Sequence, residues 1–286
     1  MLARKFALLA VLIAAPAAAD ILDLFDSDKL TDGSRYSFAP SKADNSIIAI
    51  DVQEHEVAAV LELPRAAGSA IATNELSLLV ATHPDDQSAT VINLYNREVI
   101  HEIDLGMRPD VVLANAYDRF VTFGSRDGSV STWDLSNFQQ VVRVDGLESA
   151  LLMTFSFDGS HLFVVEPGKK NIAVIDMAKR EVTNNIELGG DPRPGAVVSA
   201  LSRSADGYTG FVSVTSENRL LVIDLVSMTI KRSIPVGKSP IRPFSTADNR
   251  YVLIPNNGDR TLTVFSPHTN SVVATVPTGI HAREVN

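Results

Sequence analysis

Apolar and polar residues alternate along this chain in short runs, and each run closes on a small or turn-forming residue. Period-two alternation with many β-branched residues argues for strands rather than helices. One phrase, made of an alternating strand, a turn residue and a second strand, returns six times. It covers Ile47–Leu63, Thr90–Gly106, Ser129–Val144, Asn171–Gly189, Leu220–Gly237 and Thr261–Gly279. Its aligned turn position holds Asp51, Asn93, Asp134, Asp176, Asp224 and Ser266, spaced 42, 41, 42, 48 and 42 residues apart. Spacing that regular marks an internal repeat. An Asp ahead of a turn accepts hydrogen bonds from the loop backbone, so this position is expected to be structural rather than catalytic.

Each unit has room for four strands. Ahead of the repeated phrase lies another alternating segment: SRYSFAP, LSLLVAT, RFVTFGS, HLFVVEP, GFVSVTS and RYVLIPN. Ahead of that comes a tight-turn sequence such as Asp158-Gly159, Asp206-Gly207 or Asp248-Asn249. A short apolar segment opens the unit, for example Val111–Leu113, Leu151–Phe155 or Val197–Leu201. Four strands in a unit of this length is the signature of a β-propeller blade. A lone four-stranded sheet cannot bury both faces, whereas adjacent sheets bury each other. The expectation is therefore a single all-β domain over residues 20–286, with units ending near 63, 106, 144, 189, 237 and 279. Two closures are open. Either the tail Ile280–Asn286 supplies the first strand of unit one, where Ile21–Phe25 is a poor strand, or the chain is a seven-bladed type lacking its last blade.

The chain starts with Arg4 and Lys5, an apolar run from Phe6 to Ala15, Pro16 and Ala17-Ala18-Ala19. That order reads as a secretory signal over residues 1–19, too short to span a bilayer, and places the mature chain in the periplasm without membrane insertion. The 286 residues are 45% hydrophobic and 21% charged, a globular balance. The absence of Cys excludes disulfides, thiolate zinc sites, iron–sulfur clusters, CxxCH haem attachment and cysteine nucleophiles. A formal charge of −9, two units more negative once the signal is removed, argues against nucleic-acid partners.

The phrases IAVID…VTNNIELG and LLVID…IKRSIPVG resemble the YVTN-type β-propeller repeat family, most strongly from Asn171 to Gly279. Phe163-Val164-Val165-Glu166 and Tyr251-Val252-Leu253-Ile254 stand in place of the name motif. Gly128–Asp134 looks superficially like a WD40 repeat but lacks the Gly-His pair expected before it. The resemblance implies a propeller, usually seven-bladed, and often export. It implies no single activity, because propellers carry unrelated functions.

Candidate chemistry gathers where the chain leads into each first strand. Arg65, Arg108, Arg193, Arg242 and Arg283 occupy that place in five units, and Glu148 in the remaining one. If these side chains converge, they form a ring of guanidinium groups at a tunnel mouth, suited to carboxylate or phosphate. Lys42, His83, Lys169, Lys170 and Arg260 fall on neighbouring loops, and His281 stands beside Arg283. The competing account is structural: each Arg bonds loop carbonyls or pairs with Asp110, Asp127, Asp191 or Asp259. The six His residues have no metal-binding spacing, and nucleophile-elbow and nucleotide-cradle motifs are missing. Trp133 is expected to pack between blades. The six extra residues near Asp191–Ala196 lengthen one loop, the kind of place where function tends to sit.

The expected function is an exported, non-enzymatic propeller that binds a small anionic ligand or a periplasmic protein. No catalytic residue, metal site or cofactor is assigned. Two alternatives stand beside it: an accessory or electron-transfer partner of a periplasmic quinoprotein or haem dehydrogenase, and a lactonase-like tunnel hydrolase.

Overall fold

A computed structural model of the chain describes residues 30–31, 35–41, 43–73, 76–115, 119–189 and 198–279. These residues form six consecutive antiparallel sheets, each a meander in chain order. Two compact units hold them, the first ending at Pro109 and the second beginning at Asp110. Five sheets have the four strands expected from the repeat, and the first has three among the described residues.

In the first unit, sheet 1 contains β1 (Tyr36–Ser41), β2 (Ser46–Asp51) and β3 (Glu56–Glu62). Sheet 2 contains β4 (Ala70–Ala72), β5 (Leu78–His83), β6 (Ser88–Asn93) and β7 (Glu98–Asp104). The core of this unit lies between the two sheets, where Ile47, Ala49 and Leu61 pack with Leu79, Ala81 and Ile92. Ile21–Phe25 and Ile280–Asn286, on which ring closure turned, lie outside the described residues.

The second unit holds four sheets. Sheet 3 has β8 (Val111–Ala114), β9 (Phe120–Gly124), β10 (Val130–Asp134) and β11 (Gln139–Val144); sheet 4 has β12 (Met153–Phe155), β13 (His161–Glu166), β14 (Asn171–Asp176) and β15 (Glu181–Glu187). Sheet 5 has β16 (Val198–Arg203), β17 (Thr209–Val214), β18 (Arg219–Asp224) and β19 (Thr229–Pro235); sheet 6 has β20 (Phe244–Ser245), β21 (Val252–Asn256), β22 (Thr261–Ser266) and β23 (Ser271–Pro277).

Side chains alternate between two neighbours. On β13, Leu162 and Val164 pack with Val130 and Val142 of sheet 3. Phe163 and Val165, on the opposite face of the same strand, pack with Val212 and Leu221 of sheet 5. On the next sheet, Phe211 and Leu220 turn instead toward Val252 and Phe265 of sheet 6. The period-two pattern thus places successive residues in successive interfaces, which is why β13 and β14 are apolar almost throughout. The fourth strands differ. β15 and β19 bury Ile186 and Ile234 but are otherwise mostly exposed, and polar side chains blunt their open edges.

The repeated turn position is structural in all six sheets. Asp51, Asp134, Asp176 and Asp224 accept from backbone N–H groups two residues on, Asn93 does the same for Tyr95, and Ser266 reaches Thr269. Four residues after each one stands a left-handed residue: His55, Arg97, Phe138, Arg180, Met228 and Asn270. The register of the last strand pair of every sheet shifts just before this turn, so each hairpin is a bulged one. At the first-to-second strand turns, Gly159, Gly207 and Asn249 take positive φ, as their turn chemistry anticipated. Trp133 is half-buried and donates from Nε1 to Ser131 Oγ on its own strand.

Two outcomes follow. Phe163→Ala is expected to cost about 3–5 kcal/mol in urea unfolding, because the ring is wholly buried between two sheets. The hydrogen bond from Arg119, followed by those from Ser136, holds the Asp134 carboxyl at about 2. A lowered folded-state value stabilises the fold fully above about pH 4, and that contribution vanishes as pH falls through about 2. Asp134→Asn should therefore be less stable than the wild type at pH 6, with the difference shrinking between pH 4 and 2 in urea titrations.

Candidate functional site

Arg65 and Arg108, which lead into the first strands of successive sheets, are both fastened to sheet 2. In sheet 2, Arg65 Nη1 donates to Glu102 Oε2 at 3.0 Å, and its Nε lies 4.0 Å from Asp86 Oδ1. Arg108 Nη1 donates to Asp85 Oδ1 at 2.8 Å. Asp85 and Asp86 belong to the single 3-10 turn Pro84–Asp86, so these two arginines flank one acidic turn and each faces a carboxylate. Glu102, Asp85 and Asp86 are carboxylates that the sequence reading did not single out. Asp110, Asp127 and Asp259 accept from the backbone N–H groups of Arg126, Ser129 and Lys238, each stabilising a loop bend.

His83 requires a correction. It is the last residue of β5 and fully buried, not a loop side chain. Its Nδ1 bonds Ala66 O at 3.0 Å and its Nε2 bonds Thr90 Oγ1 at 2.7 Å, so neither ring nitrogen is open to a ligand. Glu166, at the same place on β13, is likewise buried; its Oε1 accepts from Glu148 N and from Lys169 Nζ, both at 2.7 Å. Glu148 in turn accepts from the backbone N–H groups of Gly168 and Lys169. In sheets 2 and 4 these polar groups at the end of the second strand tie the lead-in loop to its sheet.

The remaining candidates sit apart. Lys169 and Lys170 are on sheet 4, and the Lys170 Nζ is buried without a hydrogen-bond partner. Arg242 and Arg260 are exposed on opposite sides of β21 in the chain. Lys42, Arg193, His281 and Arg283 lie outside the described residues, as does the long loop Asp191–Ala196.

A cleft that the sequence reading missed lies between sheets 4 and 5, at the opposite strand ends. It encloses about 360 Å³ between the turns after β12 and β16 and the hairpin after β18. Phe157 and Tyr208 form one wall, with ring centroids 5.4 Å apart, and Leu225, Val226 and Met228 form another. Three of these apolar side chains are well exposed: Phe157 at 42%, Tyr208 at 51% and Val226 at 70%. Gly207 permits the approach, since a Cβ there would meet Phe157 Cβ at 2.7 Å and its φ is +80°. The cue in the sequence was an aromatic residue beside the Asp-Gly turn in two successive repeats.

Asp158, Ser160 and His161 line the same cleft. Ser160 Oγ donates to Asp158 Oδ1 at 2.8 Å and meets His161 Nδ1 at 2.8 Å. The hydroxyl therefore sits between carboxylate and imidazole. A nucleophilic triad needs the imidazole in the middle, oriented by the carboxylate, so this order serves the turn and not acyl transfer. Hydrogen bonds from Ser156 and then Ser160 hold the Asp158 carboxyl below the usual carboxylate range. Among the described residues no group of three or more His, Asp or Glu side chains is placed to hold a metal ion.

No family model and no curated protein matches the chain. Solved structures do. Hydrazine synthase of Kuenenia stuttgartiensis superposes with a TM-score of 0.66 over 87% of this chain and 84% of its own, at 14% identity. A functionally unknown protein from Desulfotomaculum acetoxidans gives a TM-score of 0.70 over 84% of this chain and 79% of its own, at 13% identity. At such identities the likeness concerns the fold alone.

The two kinds of polar contact predict opposite costs. His83→Ala should destabilise by at least about 2 kcal/mol, because it removes a wholly buried ring and leaves the Thr90 hydroxyl in the interior without its imidazole partner. Arg108→Ala, at an exposed ion pair, should cost no more than about 1 kcal/mol. Denaturant unfolding of the two variants checks the contrast.

Proposed function

We propose that this chain is an exported six-bladed β-propeller that works as a binding module, docking a protein partner in the cleft between its fourth and fifth sheets. The leader pattern of residues 1–19 supports export to the periplasm. Six meander sheets in repeat order, and fold matches that run through most of the chain, support the propeller.

The cleft carries the binding reading. Phe157, Tyr208, Val226 and Met228 bring aromatic and flexible thioether surface together at one strand end, and Phe157, Tyr208 and Val226 remain exposed there. Exposed aromatic and methionine side chains around a concavity are the composition of an interface core. The occupant that fits is a peptide segment presenting an aromatic or branched aliphatic side chain. Asp158 and Ser160 at the rim are committed to their own turn and shape the opening.

Selection of displayed peptides on the purified protein tests this. Enriched peptides should carry an apolar anchor and bind Val226→Asp and Phe157→Ala at least about tenfold more weakly, with circular dichroism showing both variants folded. Peptides that bind the variants as well as the wild type, or a selection that yields no cleft-dependent binder, would overturn the reading.

A further inference from the structure

The last residue of the first strand is Ala72, Ala114, Phe155, Arg203 and Ser245 in sheets 2 to 6. In each case the next residue closes the same backbone bond across the first turn, so the five positions are equivalent. Four are uncharged and one carries a guanidinium. A charge at a place that the repeat otherwise gives to small or apolar residues is not required by the fold.

Arg203 is half-buried. Its Nη1 donates to Phe155 O at 3.2 Å and Ser156 O at 3.3 Å, two neutral carbonyls on sheet 4. Among the described residues no carboxylate pairs with it. Asp158 and Asp206, the acids of the adjacent turns, accept from their own Ser156, Ser160, Ser204 and Tyr208 donors. Burial without a counter-ion pulls the guanidinium down from its ordinary value, the mark of a charge that is incompletely compensated. The two carbonyls fix the plane of the group, while Nε and Nη2 have no protein acceptor.

We infer that Arg203 is an anion-binding side chain that takes a small carboxylate across its Nε–Nη2 edge. Two parallel N–H groups in one plane match the two oxygens of a carboxylate, and a lysine could not reproduce that fork. The site lies at the strand ends opposite those of the lead-in arginines and adjoins the peptide cleft, whose lining residue Ser156 it contacts, but it uses none of the apolar side chains proposed to hold the peptide.

The test follows the Arg203 Nε–Hε resonance of 15N-labelled protein, assigned by its loss in Arg203→Lys, during titration with sodium acetate against sodium chloride at constant ionic strength. A saturable shift in acetate alone is expected, with the Arg242 resonance as the exposed reference. Acetate should also raise the wild-type thermal midpoint, and Arg203→Lys should need about tenfold more acetate for the same rise. Val226→Asp should leave the acetate response intact, which separates this site from the cleft. The inference is overturned by an Arg203 resonance that acetate leaves in place or moves no more than Arg242. It is equally overturned by saturation with inorganic phosphate but not acetate, or by an unchanged midpoint response in Arg203→Lys. Should Arg203→Leu and Arg203→Lys both fail to fold, the wild-type resonance, assigned through its Arg203 backbone connectivity, still decides.

Discussion

Both faces of a four-stranded sheet are apolar here, and only another sheet can cover each of them. Leu162 and Phe163 are adjacent in sequence, yet they are buried in two different interfaces, one with sheet 3 and one with sheet 5. β17 divides in the same way, with Val212 and Val214 packed toward sheet 4 and Phe211 toward sheet 6. This division makes the fold a chain of nearest-neighbour contacts in which no sheet is stable alone. It also leaves the strand ends, and not the sheet faces, as the surfaces on which recognition can be built.

The polar residues divide along the same line. Those at repeat positions are consumed locally: Asp51, Asp134, Asp176 and Asp224 cap their hairpins, and His83 and Glu166 tie loops to strands. A side chain that recurs in every unit is solving a problem that every unit has. The side chains with something left over stand where one unit departs from the rest. Phe157 and Tyr208 crowd a single interface, and Arg203 places a charge where its counterparts are neutral. In a repeat protein the exceptions are the better guide to function, because the backbone already accounts for the rule.

The arginines of the lead-in loops illustrate the difference between type and geometry. Their recurrence was visible in the chain, and a guanidinium does suit an anion. Arg65 and Arg108 nevertheless meet Glu102, Asp86 and Asp85, residues that lie 21 to 37 positions further along or back. Which acid would face them depends on how a loop folds over the turn between two strands, and spacing alone does not encode that.

Strand order, turn chemistry and the structural role of the repeated Asp were legible in the sequence, because each rests on contacts within a few residues. Period-two alternation sets the faces, and Asx and Asp-Gly turns set the hairpins. The burial of His83, the pairing of Phe157 with Tyr208 and the unpaired state of Arg203 were not legible. His83 is fixed by how a lead-in loop folds back on its own sheet. The other two join residues brought together by sheet-against-sheet packing, 51 positions apart for the aromatic pair and 48 for Arg203 and Phe155. Local physics wrote the strands into the sequence; only the stacking of one sheet on the next decided which side chains would meet.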